Sequence, residues 1–131
     1  VLPEIGSRMP LHATAQGKLL LAQMSDKEVL KVLRKSGMQV FTPHTITNEN
    51  KLLHALDEVR EKGYAVEDGE YKIGLRAAAA PVYDRFGQTR YALGVVGLYR
   101  RVQCDEFVNA IHQLQQQAYQ LSCAAGWNRI K

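Results

Sequence analysis

Cysteine is scarce in this 131-residue chain: only Cys104 and Cys123 occur, nineteen positions apart and without a CxxC pair. That count excludes a disulfide framework and fits reduced thiols in the cytoplasm. Neither thiol has a histidine beside it in sequence, so both read as structural rather than nucleophilic. Long apolar runs are missing too. The longest, Leu19-Leu20-Leu21-Ala22, is far too short for a bilayer span or a secretory signal, so no membrane role is expected. Concentrated charge is absent as well: 17 Lys and Arg against 13 Asp and Glu give a net charge of +4, spread along the chain. A duplex-binding face needs its cations gathered, so this chain is not expected to contact DNA. The four histidines, His12, His44, His54 and His112, show no HxxxH or HExxH spacing, and no metal site is expected. Gly17-Lys18 resembles the end of a phosphate-binding loop, but His12 stands where that loop needs Gly and Leu19 where it needs Ser or Thr. No catalytic set and no cofactor motif survive this pass, and the chain reads as not an enzyme.

What is present is an ordinary globular composition, 46% hydrophobic and 23% charged, in a length suited to one domain with a real core. The chain opens Val1-Leu2-Pro3 without an initiator Met and reads as a fragment or excised domain. Val1–Met9 is broken by Pro3, Gly6 and Ser7 and reads as a loop. A first helix is expected over about Gln16–Gln23, with Leu19, Leu20 and Ala22 inward and Gly17 permitting close backbone approach. Ser25 is a natural cap for a second helix that carries Asp26 and Glu28 at its start, Val29, Leu30 and Leu33 as its stripe, and Gly37 at its end. Val40-Phe41 suggests a short strand closed by Pro43. Thr47 would cap a third helix, about Asn48–Lys62, with Leu52, Leu53, Leu56 and Val59 at i, i+3, i+4 spacing and Gly63 as its stop. A fourth helix is expected from Asp105 to about Ala124, with Phe107, Val108, Ile111, Leu114, Ala118 and Leu121 as its core face.

The stretch Gly63–Gly97 organises the rest. Tyr64-Ala65-Val66 is a short β-forming run followed by the acidic turn Glu67-Asp68-Gly69-Glu70. Two longer runs, about Ile73–Tyr83 and Thr89–Val96, are joined by Asp84-Arg85-Phe86-Gly87-Gln88 and read as an antiparallel hairpin. The first arm is rich in alanine and the second carries Gly94 and Gly97, which leaves room above the sheet for a packed helix or a ligand. Glu67, Asp68 and Glu70 could be a general acid–base pair, but a solvated turn is the favoured reading on sequence alone. Arg76, charged within an apolar run, should lie at a sheet edge or pair with the acidic turn. Three helices, a strand, a hairpin and a helix amount to an α+β domain, helices packed on an antiparallel sheet.

Pro10-Leu11-His12-Ala13-Thr14-Ala15-Gln16-Gly17-Lys18, Gly63-Tyr64-Ala65-Val66-Glu67-Asp68-Gly69-Glu70, Gly74-Leu75-Arg76, Ala79-Ala80-Pro81-Val82 and Asp84 stand here in one order. Together they resemble the effector-binding domain of IclR-type bacterial transcription regulators, from about Ser7 to Gly97 and more loosely to Trp127. The resemblance implies a GAF-like, profilin-like sensor domain lacking its first strands. It further implies that residues 1–131 are the ligand-sensing half, with the winged helix-turn-helix that binds DNA not in this chain. Mapped position by position, the effector would meet Ala15 and Gln16 at the helix start, Glu67 after the Gly-Tyr strand, and Ala77 after Gly-Leu-Arg. Two more contacts map to the last strand, Gly94 and Val96. Several family members carry hydroxyl or thiol side chains at the last three positions, and this chain does not.

The resemblance thus implies a small-molecule effector, a carboxylate or sugar acid, and a homodimer or homotetramer, because palindromic operators require paired DNA-binding domains. Two other classes compete with it: a small enzyme using Glu67 or Glu70 as base, and a dimerisation module with a filled pocket. A cleft lined with backbone donors but lacking a nucleophile–base pair would favour sensing over catalysis, and a pocket closed by side chains would favour the dimerisation module.

Overall fold

The protein is described from a computed structural model over residues 4–128. The expected opening loop carries no helix or strand from Glu4 to Thr14, and its first three residues lie outside the described ones. The elements follow as α1 (Ala15–Ala22), α2 (Asp26–Ser36), α3 (Glu49–Lys62), β1 (Ala65–Asp68), β2 (Arg76–Tyr83), β3 (Thr89–Gly97) and α4 (Asp105–Ala124). Capping chemistry sets most of these starts. The Thr14 hydroxyl accepts the Gly17 N–H, Ser25 accepts that of Glu28, and Asn48 accepts that of Lys51. Asn48, not Thr47, therefore caps α3, because its side-chain oxygen is the one within reach of the third amide. Gly63 ends α3 in the left-handed region, φ 82°, where a side chain would be strained.

The three strands form one antiparallel sheet in the order β1-β2-β3. Ala79 faces Ala65 on one side and Gly94 on the other, and the register breaks once, between Val82 and Tyr83, opposite Arg90. β2 is central and buried on both faces. Ala77 and Ala79 face α1 and belong to one buried cluster with Leu19 and Leu21 of α1, Val29 of α2 and Leu52 and Leu56 of α3, whereas Ala78, Ala80 and Val82 face α4 in a second cluster with Phe107, Ile111 and Leu114. The alternation follows from the two-residue period of a strand. Alanine on both faces lets helices approach from both sides, so the expected room above the sheet is mostly taken by helices. Phe107 is fully buried at the α4 contact, and truncating a Phe so placed costs about 3–5 kcal/mol.

Several expectations are corrected. Leu20 is 43% exposed; Leu21 points inward instead, into the core cluster that α1 shares with α3 and the sheet. Leu30 is only half-buried on α2. Val108 and Leu121 lie on the open side of α4, and Ser122 takes the inward place, donating to the Ala118 carbonyl at 2.8 Å and accepting the Tyr83 N–H at 2.9 Å. Val40-Phe41 is not in a strand; Phe41 instead gives its N–H to the Thr45 hydroxyl in a local turn. β2 starts at Arg76, since Ile73 is exposed in the turn before it. Gly17 behaves as expected: a Cβ there would lie 2.3 Å from the Leu11 carbonyl oxygen. Arg76 pairs with Asp68 at 2.8 Å and also donates to the Tyr99 carbonyl at 2.7 Å.

Candidate functional site

The acidic turn is held from three directions. Thr42 and Thr45 donate their hydroxyls to the Gly69 and Glu70 carbonyls at 2.7 and 2.6 Å. Phe41 meets the Tyr71 ring edge-on at 5.0 Å. From α1, Lys18 Nζ lies 2.7 Å from Glu70 Oε1 and 2.8 Å from Oε2, and it also donates to the Val66 carbonyl at 2.9 Å. Lys18 and Glu70 are both buried, so each charge depends on the other. Glu67 is equally buried, and this overturns the reading of a solvated turn: only Asp68 of the three acids faces solvent.

Beside this turn lies a cleft of about 310 Å³. Its walls are the opening loop at Ser7, Arg8 and Met9, the start of α1 at Thr14 and Gln16, and the turn at Glu67, Tyr71 and Lys72. Ala77 and Val96 supply its floor from β2 and β3. Four of the six residues singled out from sequence, Gln16, Glu67, Ala77 and Val96, therefore come together. Ala15 is fully buried behind them. Gly94 does not line the cleft; a Cβ there would lie 2.6 Å from Gln16 Nε2, so its missing side chain is what lets the Gln16 amide lie against the sheet.

Glu67 is the chemically distinctive wall. Its Oε2 accepts the N–H groups of Glu70 at 3.0 Å and Tyr71 at 3.4 Å. Burial raises its carboxyl above the usual range; the two amides pull the other way, the Glu70 charge raises it further and Lys18 lowers it. At the start of α1 the Gly17 N–H goes to Thr14 Oγ1 and the Lys18 N–H to the Thr14 carbonyl. The Ala15 and Gln16 amides are taken by neither bond, and they sit at the positive end of the helix dipole. The Thr14 hydroxyl is committed to the Pro10 carbonyl at 2.7 Å and is not poised as a nucleophile.

A larger cleft, about 540 Å³, runs between α3 and α4 past Val59, Lys62, Tyr64, Phe107 and Ile111. It holds none of the residues singled out as effector contacts, so the smaller cleft is the candidate site. Sequence reasoning missed Lys18, Tyr71, Arg8 and Lys72. A signal existed for one of them: Lys18 is the one charged residue of α1 and stands beside the apolar run Leu19–Ala22, and a lysine there calls for a buried partner.

Residues 1–123 match the family described as "Bacterial transcriptional regulator IclR C-terminal". Among curated proteins the chain is 35% identical over 122 residues to the HTH-type transcriptional repressor AllR of Escherichia coli K12, covering 93% of this chain and 45% of that protein. It is 38% identical over 123 residues to the HTH-type transcriptional regulator XynR of the same organism, covering 94% and 49%. The chain thus spans just under half the length of these relatives. Among solved structures it is similar to the C-terminal domain of the E. coli regulator KdgR, at a TM-score of 0.85 and 36% identity over 94% of this chain and 75% of that one. It is also similar to a double mutant of the PobR inducer-binding domain from Acinetobacter, in complex with 3-hydroxybenzoic acid, at a TM-score of 0.83 and 33% identity over 93% and 72%.

Proposed function

The chain belongs to the IclR C-terminal family of bacterial transcriptional regulators, and from that premise we propose that its small cleft senses a hydroxylated monocarboxylate of sugar-acid size. The observation that carries this reading is the cleft's pairing of unlike polar walls. Thr14 and Gln16 bring the start of α1, the positive end of its dipole, to one side of the cleft, where an anionic oxygen is favoured, while Glu67 faces the same space as an acceptor for ligand hydroxyls. A volume of about 310 Å³ exceeds what a two- or three-carbon keto acid needs. The bound 3-hydroxybenzoic acid of the Acinetobacter neighbour belongs to the same chemical class, a hydroxylated monocarboxylate. The cleft's open volume argues against a filled dimerisation module. Among the described residues the cleft holds no nucleophile–base pair, with Thr14 tied to Pro10 and Lys18 to Glu70, which favours sensing over catalysis.

In this reading the effector modulates DNA binding by a separate N-terminal domain, and the protein works in the cytoplasm as a dimer or tetramer. The outer edge of β3 and the exposed side of α1 and α2 are the candidate contact surfaces. A thermal-shift screen over sugar acids, simple keto acids, neutral sugars and dicarboxylates tests the ligand class, since a bound ligand stabilises in proportion to its occupancy. Stabilisation by gluconate or a related sugar acid is expected. Tight binding of a neutral or dianionic compound in its place would overturn the assignment. Sequence-selective binding of duplex DNA by this chain alone, in a gel-shift assay at physiological salt, would contradict the division of labour. A strict monomer by light scattering at tens of micromolar would count against self-association through these surfaces.

A further inference from the structure

We infer that Lys18 and Glu70, which line no part of the effector cleft, are the positioning residues that aim the Glu67 carboxylate into it. In β1 successive residues point their backbone groups to opposite sides, and Ala65 and Glu67 stand opposite Ala79 and Ala77 of β2. Val66 and Asp68 alternate with them and turn their groups outward. Lys18 Nζ takes the Val66 carbonyl at 2.9 Å, and Glu70 Oε2 takes the Asp68 N–H at 2.9 Å. One ion pair therefore caps two of the outward backbone groups of this edge, one carbonyl and one N–H. The same Glu70 turns its own N–H back onto Glu67 Oε2 at 3.0 Å, with the Tyr71 N–H beside it at 3.4 Å. The path runs from α1 through a buried charge pair and one peptide unit to the carboxylate. Three residues of separation between Glu67 and Glu70 are what let a single turn do both jobs.

The pair matters to the cleft because a carboxylate buried beside a ligand's acid group must be fixed in place and in charge. The charged groups around Glu67 are Lys18 from α1, Glu70 from its own turn, and Arg8, Glu4 and Lys72 on the cleft wall. Burial raises the Glu67 carboxyl, and on top of that the Glu70 charge raises it while the Lys18 charge lowers it, so removing either charge moves it in a defined direction. Lys18 also stands at the wall of the α3–α4 cleft, so the polar path connects the two clefts of the domain. What it does for a ligand rests on the proposed function; the titration of Glu67 does not.

The test is a pH titration of the 13C-labelled glutamate carboxyls by NMR on the whole chain, with Glu67 assigned through Glu67→Gln. Glu70→Gln keeps an oxygen for the Asp68 N–H and removes a neighbouring negative charge, so the Glu67 midpoint is expected to fall. Lys18→Met should raise it, and Lys18→Arg should return it toward wild type. Exchange protection of the Glu70 and Tyr71 amides should drop in Lys18→Met and recover in Lys18→Arg, which a merely structural pair far from Glu67 would not produce. A Glu67 midpoint unmoved in both charge-removing variants, or moved the same way in both, overturns the inference. If Lys18→Met does not fold, an unmoved midpoint in Glu70→Gln overturns it alone. Calorimetry with gluconate adds the functional arm: where wild type binds it, Glu70→Gln should bind about tenfold more weakly, the scale of one hydrogen bond to a charged group. Unchanged affinity in that variant also overturns the positioning role. Failure of wild type to bind gluconate counts instead against the proposed ligand, and the titration still decides the positioning.

Discussion

At β1 the outward carbonyl of Val66 meets an ammonium group and the outward N–H of Asp68 meets a carboxylate, both inside the protein. At β3, the opposite edge of the same sheet, the described residues show no backbone bond on the outer side, and Tyr91 is 64% exposed. The first edge is four residues long and closed by charge; the second is nine residues long and open. A sheet edge is a row of unpaired donors and acceptors that invites another strand unless something blocks it. The closed edge is where this sheet stops. The open one is where pairing can continue, and there Val96 brings the strand to the floor of the cleft.

Removing the β1 cap should have the largest effect on the domain. Lys18→Met leaves Glu70 buried without its counter-charge, and losing one member of such a pair costs about 3–5 kcal/mol. Urea unfolding should show that loss as a lower midpoint with an unchanged slope. The double variant Lys18→Met/Glu70→Met should lose less, about 1–3 kcal/mol, because only the two backbone groups are then left uncapped. A double variant as unstable as Lys18→Met would mean that the charges contribute little and the backbone groups dominate.

Glu67 is buried beside the cap without bonding to the lysine. Its folded carboxyl lies above the ordinary value of 4.5, so the folded state binds its proton more tightly than the unfolded chain does. Its contribution to stability is therefore fully present below that ordinary value and is lost as pH rises through the folded midpoint. Glu67→Gln removes the titration. Its stability relative to wild type should rise across that window and then level off, which urea midpoints collected from acid to neutral pH would show. A relative stability that falls over the same window would reverse the sign assigned to Glu67.

Gly94→Ala comes next in size. A methyl group there must push the Gln16 amide aside and crowds the Ala78 carbonyl oxygen, 3.3 Å away. Overpacking of this kind costs about 1–3 kcal/mol where it cannot relax; a flexible glutamine end relaxes, so the low end is expected in thermal melts. Gluconate binding should weaken more than stability does. The smallest effect belongs to the open edge. Val96→Thr at the cleft floor should change stability by no more than about 0.5 kcal/mol, yet alter the preference among sugar acids in calorimetry by adding a hydroxyl to the wall.

Local signals in the chain determined most of the fold. Ser25 with Gly37, the leucine spacing before Gly63, and the run Asp105–Ala124 each placed a helix, because capping and periodicity act over a few residues and need no distant partner. The hairpin was legible for the same reason, and Arg76 announced its pairing with the acidic turn by being charged within an apolar run. The motif order also marked the family and four of the residues that line the cleft. Tertiary structure alone decided the rest. Leu20 and Leu121 were expected inside and lie outside, since which flank of a helix is buried depends on what packs against it. Gly94 was expected to leave space, and Gln16 from α1 fills it. Glu67 and Glu70 looked like one solvated acidic turn. They became a cleft wall and an edge cap only when Lys18, fifty-two positions before Glu70, was folded against them. A buried charge declares that it needs a partner, but only the packed chain says which one.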